Sequence, residues 1–414
     1  MSQNLEISSA LSEMSFFAAC DLGPVDPILG TALAFRADPH PKKVNLGVGA
    51  YRDETAKPLV FSAVKKAEKH IFETEVDKEY SPIDGNPALK PLTLELLFGA
   101  NAPVDRIASA QTLSGTGALR VAAEFLALHV RPPTVIVSDP TWETHRTIFN
   151  KAGHHVTTYP YWDGVTKSLN FSGMMTTLRA AAAGSVVLLH ACAHNPTGVD
   201  PTPDQWQEIV RVISENKLIP LVDNAYQGYA SGDVVGDAYL QNLLLSQHME
   251  FLLCQSFAKN LGLYGERIGM LHVVCGDAQV ATRVLSQLKL VIRPMYSSPP
   301  IHGAKVVQAV LGDAALKEEW LAELKQVSQR IRRVREELKT GLETATGLDW
   351  SHITNQIGMF SFTGLTAAQC EKMISKWHIY LLLSGRISLA GLNSSNVAYV
   401  VEAITDCIRG EERA

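Results

Sequence analysis

The sequence predicts an α/β protein, with a mostly parallel sheet covered by helices on both faces and a second, smaller α/β unit after it. Three observations carry this. Between about residues 89 and 275, short apolar runs alternate with amphipathic stretches of ten or more residues, the pattern of strands joined by crossover helices when both faces of a sheet are buried. The residues just beyond those runs are the ones able to do chemistry, and ligands of open parallel sheets bind beyond the carboxyl ends of the strands. Beyond the long helix described below, strand-like runs return on a smaller scale.

In chain order, residues 107–113 read as a strand, and Ser114-Gly-Thr-Gly117 opens a helix predicted over 117–130. Residues 134–138, 185–190, 219–223 and 251–254 are runs of aliphatic and β-branched residues and read as buried strands. Helices are predicted over 204–216 and 280–291. Residues 317–342 make a long amphipathic helix, because Trp320, Leu324, Val327, Ile331, Val334 and Leu338 alternate spacings of four and three. The stripe is shorter than three full heptads, so it reads as a core face rather than a coiled-coil seam. On the same helix Arg330, Arg332, Arg333 and Arg335 stand among glutamates and read as a solvated face, not a nucleic-acid site. Residues 358–362 and 379–383 are strands of the smaller unit.

Of the 414 residues, 46% are hydrophobic and 19% charged, with a formal net charge of −5. That composition suits a globular enzyme of two or three domains and gives no general attraction to nucleic acid or anionic membrane. No apolar run approaches the roughly 20 residues of a membrane-spanning helix. The six cysteines (20, 192, 254, 275, 370, 407) show no paired spacing, and the first 35 residues hold no Lys or Arg. Both features predict a cytoplasmic protein with reduced thiols and no basic targeting segment.

The strand ends converge on one chemistry. Lys259 lies just past the apolar run 251–254, with Arg267 eight residues on. A lysine at the end of a buried strand is costly to keep charged, and its neutral amine is the form that condenses with an aldehyde. Ser114, Gly115 and Thr116 offer hydroxyls, backbone N–H groups and a helix N-terminus to a phosphate, which Ser256 and Arg267 would complete. Alone, that segment is an ordinary small-residue turn. Asp223, ending a buried strand, suits a protonated pyridine nitrogen; alone, it is a helix N-cap. Asn195 and Tyr226 follow strands and can hydrogen-bond a phenolate oxygen, while Trp142 can stack on a ring or simply pack the core. His190 and His194 are four apart at a strand end with no third ligand beside them, so they read as support under a cofactor and no metal is predicted. Arg293, before a proline-stiffened loop, and Arg386, beside a glycine, each present a fork that binds a carboxylate through two parallel hydrogen bonds. Two such sites facing one another suit a dicarboxylic amino acid; separately, each arginine is a surface ion pair.

With these residues in place, the chain resembles the eukaryotic aspartate aminotransferases, within the fold-type I pyridoxal phosphate-dependent enzymes. The resemblance runs from about residue 38 to the Arg386 motif and rests on Ser114–Arg120 (SGTGALR), 190–198 (HACAHNPTG), 223–232 (DNAYQGYASG), 256–269 (SFAKNLGLYGERIG) and 292–296 (IRPMY), in family order. It implies a fold-type I transferase with an N-terminal arm over 1–15, a large pyridoxal phosphate-binding domain over 56–325, and a smaller α/β domain from both chain ends, 16–55 and 326–414. It implies transfer of the amino group of L-aspartate to 2-oxoglutarate, giving oxaloacetate and L-glutamate, by a ping-pong route through the aldehyde and amine forms of pyridoxal 5'-phosphate. Lys259 would hold the cofactor and shuttle the proton. Asp223 would pair with the ring nitrogen, Asn195 and Tyr226 with the phenolate, and Ser114, Gly115, Thr116, Ser256 and Arg267 with the phosphate. Tyr80 would reach that phosphate from a partner subunit. Arg386 would bind the α-carboxylate, Arg293 of the other subunit the distal one, and Gly49 and Trp142 would line the substrate. A homodimer with shared active sites follows, acting on small dicarboxylic amino and keto acids, with no nucleic-acid or membrane partner. Ser298 stands where the family has Asn, Ser81 where it has Leu, and 393–396 match loosely. These departures bear on substrate preference and loop closure, and the alternative is a broader aminotransferase that also takes aromatic amino acids. A pyridoxal phosphate lyase or decarboxylase would give the second arginine no purpose, and an idle scaffold paralogue would be expected to have lost Lys259, Asp223 or Arg386.

Overall fold

The computed structural model describes residues 15–24, 27–100 and 102–409. The arm expected over 1–15 lies, apart from Ser15, outside them. Seven strands form the central sheet: β1 (Ile107–Leu113), β2 (Val135–Asp139), β3 (Val156–Pro160), β4 (Val186–His190), β5 (Ile219–Asn224), β6 (Phe251–Ser256) and β7 (Ile268–Val274). Their spatial order is β1-β7-β6-β5-β4-β2-β3, and β7 alone runs against its neighbours. The central strands are buried on both faces, which is why they read as continuous apolar runs rather than alternating ones. Val135, Val137, Val186 and Leu188 turn to one face, against α1 (Ser114–Phe125) and α2 (Ala278–Tyr296). Ile136, Val187, Leu189 and Val222 turn to the other, against the helices Phe171–Ala180, Pro203–Glu215 and Tyr239–Ser246.

Two features of the sheet place the site. Chain direction across the sheet reverses between β2 and β4, which pair only at Val135↔Val186 and Ile136↔Val187. Beyond that point the strands part, and a crevice opens at their carboxyl ends, the expected ligand position in such sheets. At the other side, antiparallel β7 brings its amino end to the same edge. The register Ile268↔Leu113 and Gly269↔Ser256 sets Arg267 beside the starts of two loops. Gly269 is required there, since a Cβ would lie 2.5 Å from Gln255 O and 2.7 Å from the Ser114 carbonyl carbon.

Helix α3 (Ala314–Thr346) buries the predicted stripe from Trp320 to Leu338, so it is a core face. It also runs without a break through the domain boundary expected at 325/326. Its arginines correct the sequence reading. Arg332 and Arg333 are exposed, but Arg335 is only 2% exposed, and it donates to the carbonyls of Ile353, Gly358 and Phe360. Arg330 donates to Glu54 and to the carbonyls of Arg52 and Leu392. Carbonyls that end short segments attract a guanidinium fork without a counter-carboxylate, and charge patterning alone does not reveal them. In the smaller unit the C-terminal strands are short, Phe360–Phe362 and Ile379–Tyr380, and Val44–Asn45 pairs with the latter. The N-terminal segment therefore packs with the C-terminal one. Cys192, Cys254, Cys275, Cys370 and Cys407 are buried, Cys20 is exposed, and none of the six is in a disulfide.

Candidate active site

A cleft of about 220 Å³ opens at the carboxyl edge of the sheet, lined among others by Ser114, Thr116, Asp223, Lys259, Arg267 and Arg386. Gly49, Gly115, Trp142, Asn195, Tyr226 and Ser256 line it too. Every residue expected in the site therefore reaches one cavity, except Tyr80 and Arg293. Tyr80 is 86% exposed. Arg293 is exposed near the end of α2, where it donates to Ser297 Oγ at 2.6 Å.

At one end of the cleft, α1 begins directly after β1 with no side-chain cap on its free N–H groups. Ser114 holds φ +61° and bonds Ser256 through the two hydroxyls at 2.9 Å. A Cβ at Gly115 would come within 3.2 Å of Ser256 Cβ, so the glycine lets the turn lie close against Ser256. Arg267 has no carboxylate at ion-pair distance among the described residues, and its Nη1 donates only to Tyr264 O. Free N–H groups, two hydroxyls and an uncompensated guanidinium suit a phosphate dianion.

Lys259 follows β6. Burial, reinforced by the nearby Arg267 charge and opposed by Asp223, brings its amine down to about 8, so a usable fraction is neutral near physiological pH. Asp223, last but one in β5, lies beside His190 in register. Its side chain is 10% exposed. Burial pushes its carboxyl up, yet the hydrogen bond from His145 Nε2, at 3.2 Å, and the neighbouring charges hold it below the usual range. His145 was missed by the sequence reading, because it sits inside the helix Thr144–Lys151 rather than at a strand end. The signal available was its place three residues after Trp142.

His145 completes a chain of fixed polarity. The Asn195 backbone N–H donates to His190 Nδ1 at 3.1 Å, and burial brings His190 down to about 3, so its proton sits on Nε2. That nitrogen faces Thr141 Oγ1 at 3.5 Å, and Thr141 reaches His145 Nδ1 at 2.8 Å. Thr141 then donates to His145, leaving His145 Nε2–H to donate to Asp223. The ligand atoms of His145, His190 and Asp223 lie within 4.8 Å of one another, but these hydrogen bonds use the atoms a metal would need. His194 supports the network by stacking on His190 and Tyr161 at 4.2 and 3.8 Å between ring centroids.

At the far wall, Arg386 is 3% exposed with no acidic partner at ion-pair distance among the described residues. It donates to Gly47 O at 2.7 Å and Asn195 Oδ1 at 3.4 Å, lies 4.3 Å over the Phe360 ring, and leaves Nε without a partner. Burial lowers its guanidinium to about 10. A buried cation with an orphaned donor facing a cleft suits a carboxylate ligand. Gly49 keeps the wall close, since a Cβ there would lie 2.9 Å from Phe360 Cζ. An amine and a carboxylate on one cavity, with an anion cradle at one end and a carboxylate fork at the other, fit pyridoxal phosphate and an amino acid substrate.

Comparison with known proteins agrees. The family described as aminotransferase class I and II matches residues 41–404. A cytoplasmic aspartate aminotransferase of Oryza sativa subsp. japonica is 49% identical over 399 residues, covering 95% of this chain and 98% of its own. A chloroplastic aspartate aminotransferase of Arabidopsis thaliana is 50% identical over 397 residues, covering 95% and 88%. Among solved structures, an aromatic-amino-acid aminotransferase of Burkholderia pseudomallei, covalently bound to pyridoxal phosphate, superposes with a TM-score of 0.93 at 43% identity, covering 95% of this chain and 100% of that one.

Proposed function

The chain belongs to the class I and II aminotransferases, and from that premise we propose that it transfers the amino group of L-aspartate to 2-oxoglutarate, giving oxaloacetate and L-glutamate, in two half-reactions of a ping-pong cycle. The observation that carries this reading is the shared cavity, with Lys259 and Asp223 on its walls and the unpaired Arg386 at its end. Pyridoxal 5'-phosphate, when bound, supplies an aldehyde that captures the substrate amine and a ring that accepts the electrons released at Cα.

The chain's own residues do the rest. Ser114, Gly115, Thr116, Ser256 and Arg267 hold the phosphate, and Trp142 covers the ring face. Asn195 and Tyr226 hydrogen-bond the phenolate oxygen. Asp223, kept ionised by His145, faces the ring nitrogen. Lys259 would move the proton from the substrate Cα to the carbon that was the cofactor's aldehyde, and a base near neutrality suits that task. Arg386 grips the α-carboxylate as a planar fork, with Gly49 leaving room beside it. Residues 56–325 serve as the cofactor-binding body, and 16–55 with 326–414 as the unit that carries Arg386.

The distal carboxylate is assigned to Arg293 and the outer phosphate contact to Tyr80, both from a second copy of the chain, since neither reaches this copy's own cavity. Mixing two inactive chains tests both the assignment and the dimer. A Lys259→Ala chain combined with an Arg293→Asp chain leaves one intact site in each mixed dimer. Recovery of roughly a quarter of wild-type aspartate turnover is expected from random pairing in a closed two-fold dimer. No recovery after refolding the two chains together would count against shared sites.

Ser298 and the likeness to an aromatic aminotransferase favour a broader substrate range as the second reading. A kcat/KM for phenylalanine close to that for aspartate would select it. Cysteines that are buried and outside any disulfide suit a reducing compartment, and the cytoplasm is the proposed one. Cell fractionation is expected to leave the protein in the soluble cytosolic fraction, and recovery inside an organelle would overturn this.

A further inference from the structure

Tyr264 has no part in the roles above, yet Lys259 Nζ lies 5.2 Å from the centroid of its ring. We propose that Tyr264 is a positioning residue for Lys259, whose ring face is the seat on which the ammonium rests between proton transfers. The inference rests on the role assigned to Lys259 and adds what holds that lysine in place.

The ring is itself held. The Tyr51 backbone N–H donates to the Tyr264 phenol oxygen at 3.0 Å, and the Tyr229 hydroxyl is a second hydrogen-bond partner. The Tyr51 ring meets Tyr229 edge-on at 6.2 Å, and Arg330 lies 5.3 Å over its face. Arg330 in turn is tied to Glu54 and to the Arg52 and Leu392 carbonyls. The segment 47–51 therefore pins Tyr264 through Tyr51 and holds Arg386 through Gly47 O. The seat of the amine and the grip on the α-carboxylate share one stretch of backbone.

The physical reason is differential. An aromatic face attracts an ammonium and not a neutral amine, most strongly where water is excluded. The charged groups facing Lys259 are Arg267 and Arg386, which disfavour the ammonium, and Asp223, which favours it. The ring adds to the side of Asp223 and fixes the end of a stem with four rotatable bonds. A lysine that must both take and return a proton needs its charged state retained as well as its neutral one.

The test reads the amine directly in the full-length, cofactor-free chain. Cyanate carbamoylates neutral amines, so the rate of Lys259 labelling against pH, followed on its peptide by mass spectrometry, gives the titration midpoint. Surface lysine peptides serve as internal references. Tyr264→Met keeps the bulk and removes the aromatic face. Its midpoint is expected to fall by about one pH unit, about a tenfold loss of proton affinity, while Tyr264→Phe retains most of the wild-type value. If the Met chain does not fold, Tyr264→Leu takes its place. An unchanged midpoint, or one that rises as water enters, would overturn the proposal. Either result leaves the role of Lys259 standing, because that role is tested by removing the lysine itself.

Discussion

Replacing Lys259 with Ala is expected to cut aspartate turnover by at least about 10³-fold and to abolish the visible absorption that arises from the lysine–cofactor bond. General acid–base catalysis alone accounts for about 10²–10⁴-fold, and loss of the covalent attachment adds to it. No second base stands ready, since His190 is held neutral by burial, has both ring nitrogens engaged, and points towards Thr141. Folding is not expected to suffer. The amine is half-buried and shifted down to about 8, so the native state disfavours its charged form. The variant should melt at or slightly above the wild-type temperature when both lack cofactor. A Lys259→Ala enzyme that transaminates aspartate near the wild-type rate, with its fold intact, would remove the basis of the mechanism.

The parts of this site that were legible in the sequence share one property: they follow a buried parallel strand. Asn195, Asp223, Ser256 and Lys259 each come within a few residues of an apolar run, so recognising the run located the residue. Strand β7 escaped for the opposite reason. Gly269 and His272 interrupt its apolar character, although the glycine is what lets it lie against Ser114. Without β7, residue type and the family resemblance pointed Arg267 to the phosphate loop, but the register that brings it there was not legible. Strand β3 escaped because it is an edge strand, with Val156, Thr157 and Thr158 only partly buried. His145 and Tyr264 act through another residue rather than on a ligand, and such support depends on packing between segments 78 and 213 residues apart in sequence. Arg335 is the clearest misreading. Four arginines on one helix look like a solvated face, but position 335 lies beside the core stripe and meets three carbonyls. Periodicity names the face a residue occupies; it does not name the backbone groups that wait there.

Asp223 offers the sharpest separation of charge from hydrogen bonding. Asp223→Ala is expected to lower kcat by about 10²–10³-fold, the range for losing one preorganised electrostatic contact in a water-poor site. Asp223→Asn keeps the size and the acceptor for His145 Nε2–H but lacks the charge, and it should lose nearly as much. Kinetics on both variants decide the point, for if Asn retained most of the wild-type kcat, a hydrogen bond would suffice and the ion pair with the ring nitrogen would be unnecessary. The cofactor-free chains carry a second signature. The Asp223 carboxyl is held below its ordinary value in the folded state, since burial, which raises it, is outweighed by the His145 hydrogen bond and the neighbouring charges together. A depressed folded value means the carboxylate contributes stability above the unfolded carboxyl range, and that contribution is lost as pH falls through the lower folded value. Asp223→Ala should therefore melt slightly below wild type at neutral pH and converge with it in acid. A gap that instead widened on acidification would show that His145 does not stabilise the ionised form, and the polarity traced from Asn195 through Thr141 to Asp223 would have to run the other way.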